Sequence, residues 1–298
     1  MDVIYKLFWV ITYFIKIMIV SRFAPSPTGL LHLGHAYSAL LAFRLAKKRN
    51  GIFRLRIENI DITRCKKVYE DSIYEDLHWL GVKWKKDIVR QSDRIPLYQY
   101  YLKILEEKDL VYGCKCSRSD INNALSALSI PINSFDSKIY PGTCKEKKLS
   151  IWNNNVRVDI EKIKKYLGNI ILSFNENGLG PNGETGVQHF DINWLQKKYG
   201  DFIVARKDIR TSYNLAVTVD DHSQNISLVS RGNDLFYVTP IHVLLQKLFN
   251  FQIPNFFHHR LIIDKKGKKL SKTKKSVSLN QLRMEGISLD EIKSMLDI

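Results

Sequence analysis

The stretch Arg22-Phe-Ala-Pro-Ser-Pro-Thr-Gly-Leu-Leu-His-Leu-Gly-His35 decides the fold of this 298-residue chain. Residues 19–23 form a short apolar run, which predicts a buried strand. The two prolines that follow fix the backbone φ angle and end that strand, and a glycine then allows a sharp turn. The apolar spacing after the turn predicts a helix over 36–48, so the stretch is a strand–turn–helix unit.

The rest of the chain continues this alternation. We predict strands over 53–57, 201–204, 215–219 and 261–263, and helices over 69–80, after Ser92 and over 241–249. Alternating strands and helices are typical of a parallel sheet. We therefore expect an α/β fold with a Rossmann-like, nucleotide-binding sheet. Residues 117–172 show no clear period and are interpreted as an insertion, and the glycine-rich segment 174–186 is interpreted as a loop.

These patterns divide the chain into five segments. Residues 19–113 and 201–264 are expected to form the two halves of the Rossmann-like domain, separated by an insertion with connecting loops over 114–200. Residues 265–298 hold a lysine-rich loop and a short amphipathic helix. Residues 1–18 are apolar, but lysines interrupt them and no small-residue cleavage site follows. We interpret them as an extension ahead of a start at Met18, with a membrane anchor as the alternative.

The formal net charge of +16 favours a polyanionic partner, most often nucleic acid. A lysine-rich composition bias is the alternative. That bias does not account for the clustering of lysines over 265–275.

The two histidines of the opening stretch point to phosphate chemistry. His32 and His35 are three residues apart at a predicted helix start, so both lie on one side of it. Imidazoles beside a helix N-terminus suit phosphate oxygens whose negative charge grows during transfer. Gly34 between them leaves room for a ligand. The alternative is a capping turn with two surface histidines.

The stretch Lys269-Leu-Ser-Lys-Thr273 supplies positive charge far downstream. Gly267 precedes it and offers a hinge. Lysines on a flexible loop can follow the charge that develops on a leaving pyrophosphate. A solvated basic run that binds RNA phosphates is the alternative, and both roles are compatible.

Cysteines are clustered in the insertion. Cys114, Cys116 and Cys144 can surround one tetrahedral metal ion, and Cys65 stands apart. Such a cluster suits a metal in a reducing compartment better than a disulfide framework. No histidine lies nearby to complete the site. Three buried free thiols are the alternative.

Four further residues are candidates for binding a charged amino acid. Arg22 and Arg231 can each grip a carboxylate with two hydrogen bonds. Glu58 can accept from an ammonium group, and Tyr213 offers a hydroxyl group. Each of them alone is compatible with an ordinary salt-bridged or surface residue.

The first stretch resembles the "HIGH" region of class I aminoacyl-tRNA synthetases in the form used by glutamate enzymes, and Lys269-Leu-Ser-Lys-Thr273 resembles their "KMSKS" loop. The resemblance spans about residues 19–276. It implies ATP with Mg²⁺ as cofactors and L-glutamate as substrate. It implies catalytic roles for His32, His35, Lys269 and Lys272, ATP contacts from Pro25, His32, Gly34, His35 and Lys272, and glutamate contacts from Arg22, Phe23, Ala24, Pro25, Ser26, Glu58, Tyr213 and Arg231.

The cysteine pattern resembles the zinc site of one subgroup, the glutamyl-queuosine tRNA(Asp) synthetases, which implies Tyr140 as the fourth ligand beside Cys114, Cys116 and Cys144. Only about twenty residues follow the lysine loop, fewer than an anticodon-binding domain needs. The resemblance therefore implies ATP-dependent formation of glutamyl-adenylate and transfer of glutamate to queuosine of tRNA(Asp). The alternatives are a truncated glutamate–tRNA ligase that charges the 3′ end of tRNA(Glu), and a non-catalytic RNA-binding paralogue. We expect a cytoplasmic monomer with no stable protein partner.

Overall fold

The structure is a computed structural model that describes residues 18–127, 139–263 and 277–298. The described strands are β1 (Val20–Phe23), β2 (Ile52–Ile57), β3 (Val89–Arg90), β4 (Val111–Cys114), β5 (Asn155–Val158), β6 (Ile171–Glu176), β7 (Gly186–Asp191), β8 (Ile203–Ala205), β9 (Leu228–Gly232) and β10 (Asn255–His259). The described α-helices are α1 (Leu33–Lys47), α2 (Lys67–Trp79), α3 (Ile95–Glu107), α4 (Arg118–Ala127), α5 (Ile160–Leu167), α6 (Ile192–Tyr199), α7 (Tyr213–Ser223), α8 (Thr239–Leu248), α9 (Leu279–Met284) and α10 (Leu289–Leu296).

The main sheet has seven strands in the order β3-β2-β1-β9-β10-β6-β7. All neighbours are parallel except β6 and β7, which form an antiparallel pair. The prediction of an α/β fold with a Rossmann-like parallel sheet is confirmed. Strands β1 and β9 are parallel neighbours although most of the chain separates them. Because they are parallel, their carboxyl ends meet at one edge of the sheet. Ligands of open α/β sheets bind at such an edge.

A second, smaller sheet has the antiparallel order β4-β5-β8. The segment 114–200 therefore contributes to both sheets, because β5 belongs to the small sheet whereas β6 and β7 extend the main one.

Three local predictions were wrong. Residues 215–219 lie inside helix α7, not in a strand, because Ser212 caps a helix there by accepting a hydrogen bond from the Leu215 N–H at 3.3 Å. The segment 174–186 includes the end of β6 and the start of β7, and its glycines lie mainly in the connection between them. Among the described residues, the strand furthest along the chain is β10 at Asn255–His259, upstream of the predicted 261–263.

Two hydrophobic cores hold the helices against the sheet. One includes side chains of α1, α2, α9 and α10 with β2, and the other includes α3, α7 and α8 with β6, β10 and the small sheet. This arrangement is typical of a parallel sheet covered on both faces. Within the three described ranges, no helix combines the length and the apolar character that a bilayer crossing requires. Residues 1–17, on which both the extension and the anchor interpretation depend, lie outside those ranges.

Candidate active site

A cleft of about 280 Å³ opens at the carboxyl ends of β1, β9 and β10. It brings together most residues that the sequence singled out from both ends of the chain. Its lining includes Arg22, Phe23, Ala24, His32, Gly34, His35, Glu58, Tyr213 and Arg231. Pro25 and Ser26 are not among its lining residues. Ser26 lines a neighbouring cavity of about 220 Å³, to which Glu58 and Tyr213 also contribute. The Pro25 carbonyl accepts the Glu58 N–H at 3.0 Å, which ties the turn after β1 to the end of β2.

The histidine turn forms the start of helix α1. His32 is the N-cap residue, and its Nδ1 accepts a hydrogen bond from the Gly34 N–H at 3.1 Å. The Nδ1 of His35 accepts in turn from the His32 N–H at 3.2 Å. Because Nδ1 is the acceptor in both rings, the neutral imidazoles carry their protons on Nε2. The turn therefore holds two N–H donors beside a helix N-terminus, which is an arrangement suited to phosphate oxygens.

Gly34 lets the His32 ring pack closely against the start of the helix. A Cβ atom at this position would lie 3.0 Å from Cε1 and 3.1 Å from Nδ1 of His32. A side chain at residue 34 would therefore push the His32 ring away by a few tenths of an ångström.

Lys269 and Lys272 lie in 264–276, outside the described residues. The described residues on both sides of that segment are at the cleft. Ile262 lines it, and Ser278 forms an isolated antiparallel bridge with His32.

Buried charges under the cleft form a network that is balanced in itself. Arg22 donates from Nε to Asp221 at 3.1 Å and from Nη1 to the Ser230 carbonyl at 3.1 Å. Arg56 donates to Asp221 at 2.8 Å and to Glu58 at 3.1 Å. Burial alone would raise the pKa of Asp221, but Arg22 and Arg56 outweigh it and lower that pKa to about 2. Burial raises the pKa of Glu58, against the opposing effect of the two arginines.

The network continues to Asp220, which is fully buried on α7. Its carboxylate accepts from Arg94 at 2.7 Å, from the Tyr98 hydroxyl at 2.8 Å and from Gln91 at 2.9 Å. Three arginines thus face three carboxylates, which satisfies the rule that buried charges are paired.

Arg231 is the exception. Its side chain is buried, with the residue only 6% exposed. The guanidinium donates to His242 Nδ1 at 3.0 Å, to His258 Nε2 at 3.2 Å and to the Thr239 hydroxyl at 2.6 Å. Within the described part of the chain, no carboxylate forms an ion pair with Arg231. Since a guanidinium stays protonated, the cleft contains one buried positive charge that an anionic ligand can neutralise.

The predicted metal ligands also come together. The three sulfur atoms of Cys114, Cys116 and Cys144 lie within 4.8 Å of one another. The Tyr140 hydroxyl oxygen is 3.3 Å from the Cys114 sulfur and 3.4 Å from the Cys116 sulfur. In a tetrahedral zinc site the sulfur–oxygen edges measure about 3.5 Å, as the usual bond lengths require. The four side chains therefore fit such an ion, and the cluster could bind a metal.

Sequence reasoning missed the residues that surround Arg22 and Arg231. These are Arg56, Glu176, Asp220, Asp221, Thr239, His242 and His258. Nearly all of them are charged groups or histidines within otherwise apolar segments. Charged residues and histidines within apolar segments could have been singled out from the sequence, but only the fold shows which of these residues contact each other.

The chain belongs to the class I tRNA synthetase family, catalytic domain of the glutamate and glutamine type, because the family model matches residues 18–292. Members of this family are ligases.

Two kinds of relative resemble the chain. It is 39% identical to a glutamyl-Q tRNA(Asp) synthetase of Rhodobacter capsulatus, over 94% of this chain and 100% of that protein. It is 33% identical to a glutamate–tRNA ligase of a Hydrogenobaculum species, over 90% of this chain and 55% of that protein. A crystal structure of a glutamate–tRNA ligase from Elizabethkingia meningosepticum, in complex with its amino acid, superposes with a TM-score of 0.68 and 26% identity, over 86% of this chain and 52% of the other. The chain thus spans about half the length of the glutamate–tRNA ligases that it matches.

Proposed function

We propose that the protein activates L-glutamate with ATP and transfers the glutamyl group to queuosine in tRNA(Asp). One observation carries the first half of this proposal. The unneutralised Arg231 guanidinium, the carboxylate of Glu58 and the His32–His35 turn line the same cleft. A ligand that carries a carboxylate, an ammonium group and a nearby triphosphate meets a complementary group at each of these places.

The reaction follows from this arrangement. Arg231 binds the side-chain carboxylate of glutamate, and Glu58 accepts from its ammonium group. The α-carboxylate oxygen attacks the α-phosphorus of ATP, and the bond from that phosphorus to the bridging oxygen breaks, so pyrophosphate leaves. The Nε2–H groups of His32 and His35 stabilise the phosphate charge that develops. Lys269 and Lys272 are proposed to act on the same phosphates, with Mg²⁺ entering with ATP.

A hydroxyl group of the acceptor then attacks the acyl carbon of glutamyl-adenylate. The acyl–phosphate bond breaks, AMP leaves, and the proton of the attacking hydroxyl passes to solvent. Similarity along the whole length of the Rhodobacter capsulatus glutamyl-Q tRNA(Asp) synthetase supports the cyclopentenediol of queuosine as the acceptor. A second candidate, charging of the 3′ end of tRNA(Glu), is supported by similarity to the catalytic half of glutamate–tRNA ligases.

We also propose that Cys114, Cys116, Tyr140 and Cys144 hold Zn²⁺ with a structural role. The ion would cross-link the turn after β4 to the segment before β5.

Separated tRNAs provide the test. Purified tRNA(Asp) with queuosine, tRNA(Asp) without it, and tRNA(Glu) are incubated with the protein, ATP and labelled glutamate. We expect label only on tRNA(Asp) that contains queuosine. Label on tRNA(Glu) alone would establish the second candidate. Glutamate-dependent exchange between ATP and pyrophosphate would rule out the third alternative, a non-catalytic RNA-binding paralogue.

A further inference from the structure

Arg231 is oriented by a buried carboxylate that never touches it. Glu176, at the end of β6, is 1% exposed, and its Oε2 forms a short hydrogen bond with Nδ1 of His258. The opposite ring nitrogen of His258, Nε2, lies 3.2 Å from Nε of Arg231. A chain of contacts therefore runs from Glu176 through one imidazole to the guanidinium in the cleft.

The hydrogen bonds determine the tautomer of each imidazole. A guanidinium only donates, so the ring nitrogens that face Arg231 must be acceptors. His258 therefore carries its proton on Nδ1, where the Glu176 carboxylate accepts it. On the other side, His242 accepts from Arg231 at Nδ1 and bonds through Nε2 to Asn214 Oδ1 at 3.0 Å. Burial lowers the pKa of both histidines, which is consistent with neutral rings.

This arrangement solves an electrostatic problem. Glu176 in direct contact with Arg231 would form an ion pair and neutralise the charge that a ligand needs. A neutral imidazole between the two keeps the guanidinium fixed by hydrogen bonds while its charge remains available. We propose that Glu176, acting through His258, is a positioning residue that holds Arg231 ready to bind the side-chain carboxylate of the substrate. This inference rests on the proposed function for the identity of the ligand.

The substitution Glu176→Gln tests the proposal without changing the shape of the side chain. Oε1 of Glu176 accepts from two backbone donors, the N–H of His258 at 2.9 Å and that of Gly178 at 2.7 Å. In the variant this position must hold the amide oxygen, because an amide nitrogen would face two donors. The new NH₂ group then points at Nδ1 of His258 and forces the ring proton onto Nε2, where it meets the N–H of Arg231.

Two measurements report the result. Nitrogen-15 NMR of the histidine rings should show an Nδ1–H tautomer of His258 in the native protein and an Nε2–H tautomer in Glu176→Gln. In glutamate-dependent exchange between ATP and pyrophosphate, the KM for glutamate should rise about 10-fold or more, as expected for a misdirected hydrogen bond to a charged group, while the KM for ATP is unchanged.

Glu70→Gln is the matched control. Glu70 is also a buried carboxylate, and it accepts from Arg90 at 2.7 Å and from Tyr74 at 2.6 Å, away from the cleft. Its removal changes the net charge equally and should leave both the His258 tautomer and the KM for glutamate unchanged.

Each outcome decides the matter. A native protein with the Nε2–H tautomer or a charged His258 would overturn the proposal, even if the variant does not fold. An unchanged KM in a folded Glu176→Gln variant would overturn it as well. A native protein that shows no glutamate-dependent exchange would overturn the proposed function instead. The tautomer of His258 would still test whether Glu176 orients Arg231 through His258.

Discussion

Replacing Arg231 by methionine should weaken glutamate binding far more than it changes the stability of the ligand-free protein. The substitution removes four hydrogen bonds, to His242, His258, Thr239 and the Leu235 carbonyl. Each hydrogen bond to a charged group is worth about 1.5–3 kcal/mol in net stability. It also removes a buried charge without a carboxylate partner, whose desolvation costs about several kcal/mol. Because the two effects oppose each other, we expect Arg231→Met to lower the free energy of unfolding of the ligand-free protein by less than about 3 kcal/mol, the lower end of the cost of breaking a buried ion pair.

Glutamate binding should respond very differently. Loss of one partner from a buried ion pair costs about 2–5 kcal/mol, which corresponds to a rise in KM of roughly 30-fold to several thousand-fold. The assay combines urea unfolding of the ligand-free protein with glutamate-dependent exchange between ATP and pyrophosphate.

Arg56→Met is the matched control for this prediction. Arg56 contacts Glu58 and Asp221 and lies 3.8 Å from Asp220, so its removal leaves buried carboxylates without their cation. This variant should lose about 3–5 kcal/mol of stability. Equal destabilisation by the two substitutions would refute the argument that Arg231 is the one uncompensated cation among the described residues of the cleft.

Three further predictions concern other parts of the molecule. Burial raises the pKa of Asp76 to about 6, so the stability that depends on its protonated form is complete below about pH 4 and is lost as the pH rises through 6. In urea unfolding, the free energy of unfolding of Asp76→Asn relative to that of the native protein should therefore rise by about 1–2 kcal/mol from pH 4 to pH 8. A difference between the two proteins that does not depend on pH would contradict this reasoning. Gly34→Ala should lower kcat/KM for ATP by about 10-fold or more because the new Cβ displaces the His32 ring, and an unchanged value would exclude that ring from ATP binding. Cys116→Ser should reduce bound zinc in elemental analysis and Cys65→Ser should not, and full zinc content in the first variant would contradict the proposed ligand set.

The opening stretch was the most predictable part of the fold. Its prolines, glycines and flanking apolar runs determine local structure directly, so the strand, the turn and the helix that follows were predicted to within a few residues of β1 and α1.

Helix α7 shows why secondary structure was harder to predict in the second half of the chain. Its residues Leu215 to Asp221 are all buried, so this run does not alternate between buried and exposed positions and its apolar residues show no period of 3.6. Ser212 as N-cap was the one local signal of a helix. The consequence for the site was substantial, because α7 carries both Asp220 and Asp221.

The surroundings of Arg231 could not be predicted from local patterns at all. Glu176 reaches His258 because β6 pairs with β10, at the register that joins Glu176 to Phe256. Contacts between strands so distant in the chain depend on the sheet order, which the periodicity of a single sequence does not specify.

The structure also distinguishes two arginines that sequence reasoning treated alike. Arg22 shares Asp221 with Arg56, so a ligand carboxylate at Arg22 would have to compete with a carboxylate already bound there. Arg231 contacts neutral acceptors and retains its charge for the ligand. Arg22→Lys should therefore disturb mainly the buried network and lower the stability of the protein. Arg231→Lys should mainly raise the KM for glutamate, because an ammonium group cannot reproduce the geometry of a guanidinium. A similar balance of both effects in the two variants would mean that the pairing of Arg22 with Asp221 does not persist when glutamate binds.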